Sequence, residues 1–151
     1  VTGTRRLFRA ARLLDPESGL DATGDLVVEG GRIAAIGASL SDGLGADVEV
    51  VEAAGLCLAP GLVDMRVQLR EPGAEHMESI ETGGQAAAAG GVTTMVTLPN
   101  TEPPVDDVSV VEFLARRARE AKLAKVHTYA AATKGLAGRE LTEMGLLAAN
   151  G

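Results

Sequence analysis

From residue 61 onward the chain alternates β-branched runs with amphipathic stretches, and this alternation constrains the fold more than any other feature. "LVDMRVQL" (62–69), "VTTMVTL" (92–98) and "KVHTYAAAT" (from Lys125) read as strands. The stretches 78–89, 108–123 and "GRELTEMGLLAAN" read as helices. In the second helix Val111, Leu114, Ala118 and Ala121 share a stripe, while Glu112, Arg116, Arg119 and Glu120 face out. In the third, Leu141, Met144 and Leu147 or Ala148 form the apolar face. The first is Ala-rich but weakened by Gly83 and Gly84, each costing ~1 kcal/mol relative to Ala. The order β-α-β-α-β-α implies parallel strands joined by right-handed crossovers, with helices covering the sheet. It is the start of a (β/α)8 barrel. A complete barrel takes ~250 residues, so residues 59–151 hold about three βα units and the barrel is incomplete in this chain. The expected fold class is therefore α/β. The chain opens on Val rather than Met and reads as part of something longer. A further segment or another chain, including a second copy, is expected to cover the exposed sheet edge.

Residues 1–58 have a different texture and read as a small β-sandwich-like domain. Two short β-prone runs, 25–29 and 32–36, flank Gly30-Gly31, a hairpin signature because paired glycines accept positive φ. "VEVVEA" from Val48 is another strand. Residues 5–14 are ambiguous, since Leu7, Phe8, Ala11 and Leu14 also fit a helical stripe. "DPESG" then forms a turn.

Composition excludes several functions. A net charge of −7 with 2% aromatic residues makes a poor nucleic-acid binder. No apolar run approaches the ~20 residues of a membrane span, and the basic start "TRRLFRAARLL" lacks the apolar stretch of a secretory signal. A cytoplasmic protein is expected. The single cysteine, Cys57, rules out an internal disulfide and is expected to be buried between Leu56 and Leu58.

The first barrel strand places polar residues at alternate positions. Asp64, Arg66 and Gln68 are expected to face inward, and Met65, Val67 and Leu69 to face the helices. Sites in such barrels lie at the C-terminal ends of the strands. Three segments run there: "REPG" (70–73), "PNTEPP" (99–104) and "ATKG" (132–135).

"PGLVDMRVQLREPGAEHMESIETGGQAAAAGGVTTMVTLPNTEPPVDD", with "TKGLAG" and "LTEMG" further on, resembles the signature region of dihydroorotase, the zinc-dependent cyclic amidohydrolase of pyrimidine biosynthesis, in its bacterial long form. "DPESGLDATGDLVVEGGRIAAIG" resembles that family's small β domain. The resemblance implies reversible cyclisation of N-carbamoyl-aspartate to dihydroorotate. It also implies a first strand reading Asp-x-His-x-His, whose histidines hold the metal. Here those positions are Arg66 and Gln68. Arginine has no lone pair to give a metal, and glutamine is a weak zinc ligand. No metal ligand and no catalytic residue are therefore assigned in this chain, although zinc is expected in active relatives. The family's bridging aspartate would follow "LLAANG". His76 is expected to be solvated and His127 packed or hydrogen-bonded.

Two substrate contacts do carry over. Arg70 matches the arginine that binds the substrate carboxylate, and Asn100 the asparagine that helps hold it. Arg70 could instead pair with Glu71, and Asn100 could cap its turn. Arg66 could neutralise Asp64 across the shared face. Taken with the lost histidines, the resemblance implies a non-catalytic dihydroorotase-like subunit that assembles with aspartate carbamoyltransferase. The alternative is an active metal-dependent dihydroorotase with atypical ligands or ligands outside this chain.

Overall fold

A computed structural model describes residues 5–40, 45 and 47–150. The chain divides at the Pro60–Gly61 junction into two compact units. Among the described residues no helix is long and apolar enough to cross a membrane.

The first unit contains β1 (Arg5–Asp15), β2 (Leu20–Glu29), β3 (Arg32–Gly37), β4 (Val48–Glu52) and β5 (Cys57–Leu58). Where a sandwich-like arrangement was expected, the described strands form one mixed sheet ordered β3-β2-β1-β4, with β5 also on β1. The hairpin over Gly30-Gly31 forms as expected, both glycines having positive φ. The ambiguous stretch is a strand. Its pairing with β2 slips between Phe8 and Ala11, and Ala10 adopts φ 56°. This bulge places one extra residue between the buried Leu7 and Ala11. The four-residue apolar step that mimics a helix is therefore a bulged strand.

The buried carboxylate of Asp25 holds the bulge. It accepts the Ala10 N–H at 2.8 Å and the Leu40 N–H at 2.8 Å. Those two bonds hold its pKa below the usual carboxylate value. Cys57 departs from expectation and is exposed. It pairs with the exposed Arg12, whereas Leu58 pairs with the buried Leu13, so the apolar neighbour takes the inward position.

In the second unit, β6 (Leu62–Val67), β7 (Val92–Thr97) and β8 (Lys125–Thr128) form a parallel sheet in chain order. The helices are α1 (Ile80–Ala89), α2 (Val108–Ala121) and α3 (Met144–Asn150), with a short 3-10 turn at Lys134–Leu136. One core joins sheet and helices through Leu69, Ile80, Met95, Val111, Leu114 and Leu147. α1 starts at a capping box between Ser79 and Thr82. α2 starts at Asp107, which accepts the Ser109 N–H at 2.8 Å, and stops where Lys122 turns left-handed. The glycines of α1 serve packing. A Cβ on Gly83 would lie 2.5 Å from the Leu69 side chain, so helix propensity yields to close approach of helix and strand. The third helix is shorter than its apolar pattern implies. Leu147 is buried, but Leu141, in the loop that runs through residue 143, and Met144, the first residue of the helix, are exposed.

Asp25→Ala is expected to cost about 1–3 kcal/mol, because two partly buried donors lose their acceptor. Asp25→Asn tests the charge. A depressed folded-state pKa stabilises above the unfolded value of about 3.9 and is lost as pH falls through the folded value. Urea unfolding should therefore show the gap between parent and Asp25→Asn shrinking as pH drops below about 4. A gap unchanged down to pH 2 would contradict this.

Candidate functional site

The C-terminal ends of the three parallel strands carry the candidate site. Val67 pairs with Thr97, and Thr97 with Thr128. Arg70 and Asn100 each stand three residues beyond the paired Val67 and Thr97, at equivalent places on neighbouring loops. Thr97 is fully buried, and its Oγ1 accepts the Leu69 N–H at 3.3 Å, which ends the β6 ladder two residues earlier than the sequence pattern implies.

The loops are tied to one another. Glu102 donates its N–H to the Pro72 carbonyl at 3.0 Å, and Ala131 donates to the Val105 carbonyl at 2.7 Å. Asp106 Oδ2 accepts the Gly135 N–H at 2.6 Å. Gly73 has φ +106°, and a Cβ there would fall on Glu102, so only glycine suits the approach of "REPG" to "PNTEPP". The Glu71–Pro72 and Glu102–Pro103 peptide bonds are both cis.

Glu71, which the sequence pattern does not single out, anchors the first loop. It is 3% exposed. Its Oε2 accepts the Ile80 N–H at 2.9 Å, supplying a partner to a first-turn donor of α1. Its Oε1 accepts from Arg117 Nε of α2 at 2.6 Å. Arg117 also donates to Glu120 at 2.7 Å, and these two partners, Glu71 foremost, push its pKa up. The expected alternative of an Arg70–Glu71 pair is therefore corrected. The signal was present in α2: Arg117 lies seven residues after Val110 and three after Leu114, on the buried stripe, where a charge needs a partner.

Arg70 is half-buried, and its guanidinium has no hydrogen-bond or ion-pair partner among the described residues. Its backbone is held by the Glu78 carbonyl at 3.3 Å and by the Ala74 N–H at 2.8 Å. Asn100 is exposed, and its side chain makes no hydrogen bond among the described residues.

β6 differs from its expected alternation. Asp64 pairs with Met95 and Val67 with Thr97, so three steps on β6 match two on β7. Met65 is 63% exposed rather than on the helices, residues 61–66 all being exposed, while Val67 and Leu69 join the core. Gln68, between those two, points to the opposite face and is exposed. Asp64 Oδ1 accepts the Arg66 backbone N–H at 3.0 Å. The carboxylate thus supports the irregular backbone, and the expected Asp64–Arg66 ion pair is not formed. His76 is exposed as expected. His127 is exposed rather than packed, because its strand neighbour Val126 takes the core-facing position.

The donor set on β6 does not fit zinc. Arg66 offers only donors, Gln68 offers one amide oxygen, and the Asp64 carboxylate is engaged by backbone. No group of three His, Cys, Asp or Glu side chains suited to a metal occurs among the described residues.

Parallel strands, helices packed on them and interlocked loops at the strand ends are the architecture of part of a (β/α)8 barrel. The L-hydantoinase (dihydropyrimidinase) from Arthrobacter aurescens superposes with a TM-score of 0.74 and 25% identity over 88% of this chain and 28% of its own. Enamidase, an amidohydrolase superfamily member, superposes with a TM-score of 0.61 and 26% identity over 82% of this chain and 35% of its own. The chain belongs to the dihydro-orotase-like family, which matches residues 55–151. It is 45% identical to a dihydroorotase of Pelobacter propionicus over 93% of this chain. It is 47% identical to a dihydroorotase-like protein of Pseudomonas putida over 89% of this chain. The chain spans about a third of the length of these relatives, 33% and 31% respectively.

Two outcomes are expected at this site. Gly73→Ala should destabilise by about 1–3 kcal/mol or more in urea unfolding, because it forces an alanine into positive φ against Glu102; a parent-like midpoint would contradict the loop packing. Arg117→Met strands the buried Glu71 charge, and adding Glu71→Gln removes that charge. The double variant should therefore melt above Arg117→Met alone. A double variant melting lower would contradict the pairing.

Proposed function

We propose that this chain is part of a dihydroorotase-related protein of pyrimidine biosynthesis that lacks metal-dependent turnover and acts as a structural partner of aspartate carbamoyltransferase in the cytoplasm. The carrying observation is the donor chemistry of β6. Arg66 and Gln68 stand where the resemblance calls for two histidines, and neither can replace a zinc-bound imidazole. A metal in such a site would generate hydroxide near neutral pH and polarise the ring carbonyl. The residues on β6 cannot hold one, so no step runs through it.

The retained features support binding without turnover. Arg70 presents an unpartnered guanidinium beside an ordered loop, and a planar fork of donors suits a carboxylate. Asn100, at the equivalent position on the next loop, supplies an amide that can both donate and accept. In this reading the two residues bind the carboxylate of dihydroorotate or N-carbamoyl-aspartate, and no described group takes the place of the hydroxide.

A second reading is an active dihydroorotase whose ligands lie outside this chain. The 45% identity to a dihydroorotase favours it. Assay of the purified full-length protein separates the two. The proposal expects no chelator-sensitive cyclisation of N-carbamoyl-aspartate, and co-elution with aspartate carbamoyltransferase in size-exclusion chromatography with light scattering. Chelator-sensitive turnover would establish the second reading. An elution profile unchanged by mixing would reject the partnership.

A further inference from the structure

We infer that Glu71 and Arg117 form a positioning pair that keeps the Arg70 guanidinium available to an anionic ligand. The inference rests on the reading of Arg70 as a carboxylate clamp. Arg70 and Glu71 are adjacent in sequence and opposite in charge. Left to themselves, two such groups on an open loop would neutralise each other, and a ligand carboxylate would have to displace Glu71. The fold prevents this. Arg117 takes Glu71 Oε1 at 2.6 Å, and the Ile80 N–H takes Oε2 at 2.9 Å. Both oxygens are engaged on the buried side, and the carboxylate is 3% exposed. Arg70, one residue earlier, keeps a guanidinium with no partner among the described residues.

The same pair fixes where that guanidinium starts from. Residues 70–73 are otherwise held by backbone contacts, Arg70 to Glu78 and Ala74 and Pro72 to Glu102, and by the local bond from the Gly73 N–H to Glu75 Oε1 at 2.9 Å. Glu71 adds the side-chain anchor that ties this loop at once to the first turn of α1 and to the middle of α2. The pair touches no ligand in this account. It acts through Arg70, by orientation and by removing the competing carboxylate.

The test is calorimetric titration of the full-length protein with dihydroorotate at neutral pH, at a temperature where circular dichroism shows each variant folded. Arg70→Met is expected to abolish binding. Glu71→Gln and Arg117→Met should each weaken it at least about tenfold, because a loosely held group loses its productive geometry. Arg117→Lys, which retains a cation for Glu71, should recover most of the affinity lost in Arg117→Met. That rescue would not follow from a packing role alone. Parent binding that depends on Arg70 but is unchanged within about twofold by Glu71→Gln and Arg117→Met would overturn the positioning pair and leave the clamp standing. Absence of binding by the parent, or binding that Arg70→Met does not alter, would overturn the clamp itself and this inference with it.

Discussion

The second unit depends on one buried carboxylate. Glu71 leaves the end of β6 and meets two partners from different helices, the Ile80 N–H at the start of α1 and the Arg117 guanidinium of α2. A charge held this far from water is tolerable only when its oxygens are satisfied. Its presence therefore fixes three elements together. The loop after β6 cannot shift without stranding the charge, α1 cannot shift without losing a first-turn partner, and α2 must keep Arg117 turned inward. The loop-to-loop bonds through Pro72, Glu102, Val105 and Asp106 extend that order across the strand ends. The sheet end is thus organised by hydrogen bonds and charge, beneath an apolar core of Leu69, Met95 and Leu114 that packs the helices.

This order sits beside a strand poorly suited to metal chemistry. The irregularity in β6 breaks the alternation that would align Asp64, Arg66 and Gln68, and Asp64 is used to satisfy the Arg66 backbone. Scaffold and donor set point to different uses. The scaffold carries Arg70 and Asn100 on adjacent loops, each three residues beyond the paired Val67 and Thr97, while the donor set offers an arginine and a single amide oxygen where zinc would need imidazoles. The proposed function, a binding site without hydrolytic machinery, would account for both.

Much of this was legible in the sequence, and the exceptions have physical causes. The order of strands and helices in the second unit and the stripe of α2 followed from periodicity, and the hairpin from the Gly30-Gly31 pair. Residues 5–14 did not, because a bulge at Ala10 inserts a residue and turns a two-residue period into a four-residue step. Cys57 looked buried because its neighbours are leucines, but a two-residue strand lets only one of its side chains face in. The expected Asp64–Arg66 pair assumed a regular pleat. Arg70 and Asn100 follow from motif resemblance alone, because no periodicity marks a residue in the loop beyond a strand. Glu71 was missed because pairing between adjacent residues is the simplest reading of "RE". Its true partner lies 46 residues away, on the buried stripe of a helix where Arg117 had itself gone unremarked.

The Glu71 carboxylate holds the first turn of α1. Amide hydrogen exchange at Ile80 measures that bond directly, since a first-turn N–H has no intrahelical acceptor of its own. In the parent the Ile80 amide is expected to exchange as slowly as the interior amides of α1, and to become much faster in Glu71→Met, which removes the acceptor, while those interior amides stay protected. An Ile80 amide that exchanges at the rate of an exposed amide in the parent would contradict it.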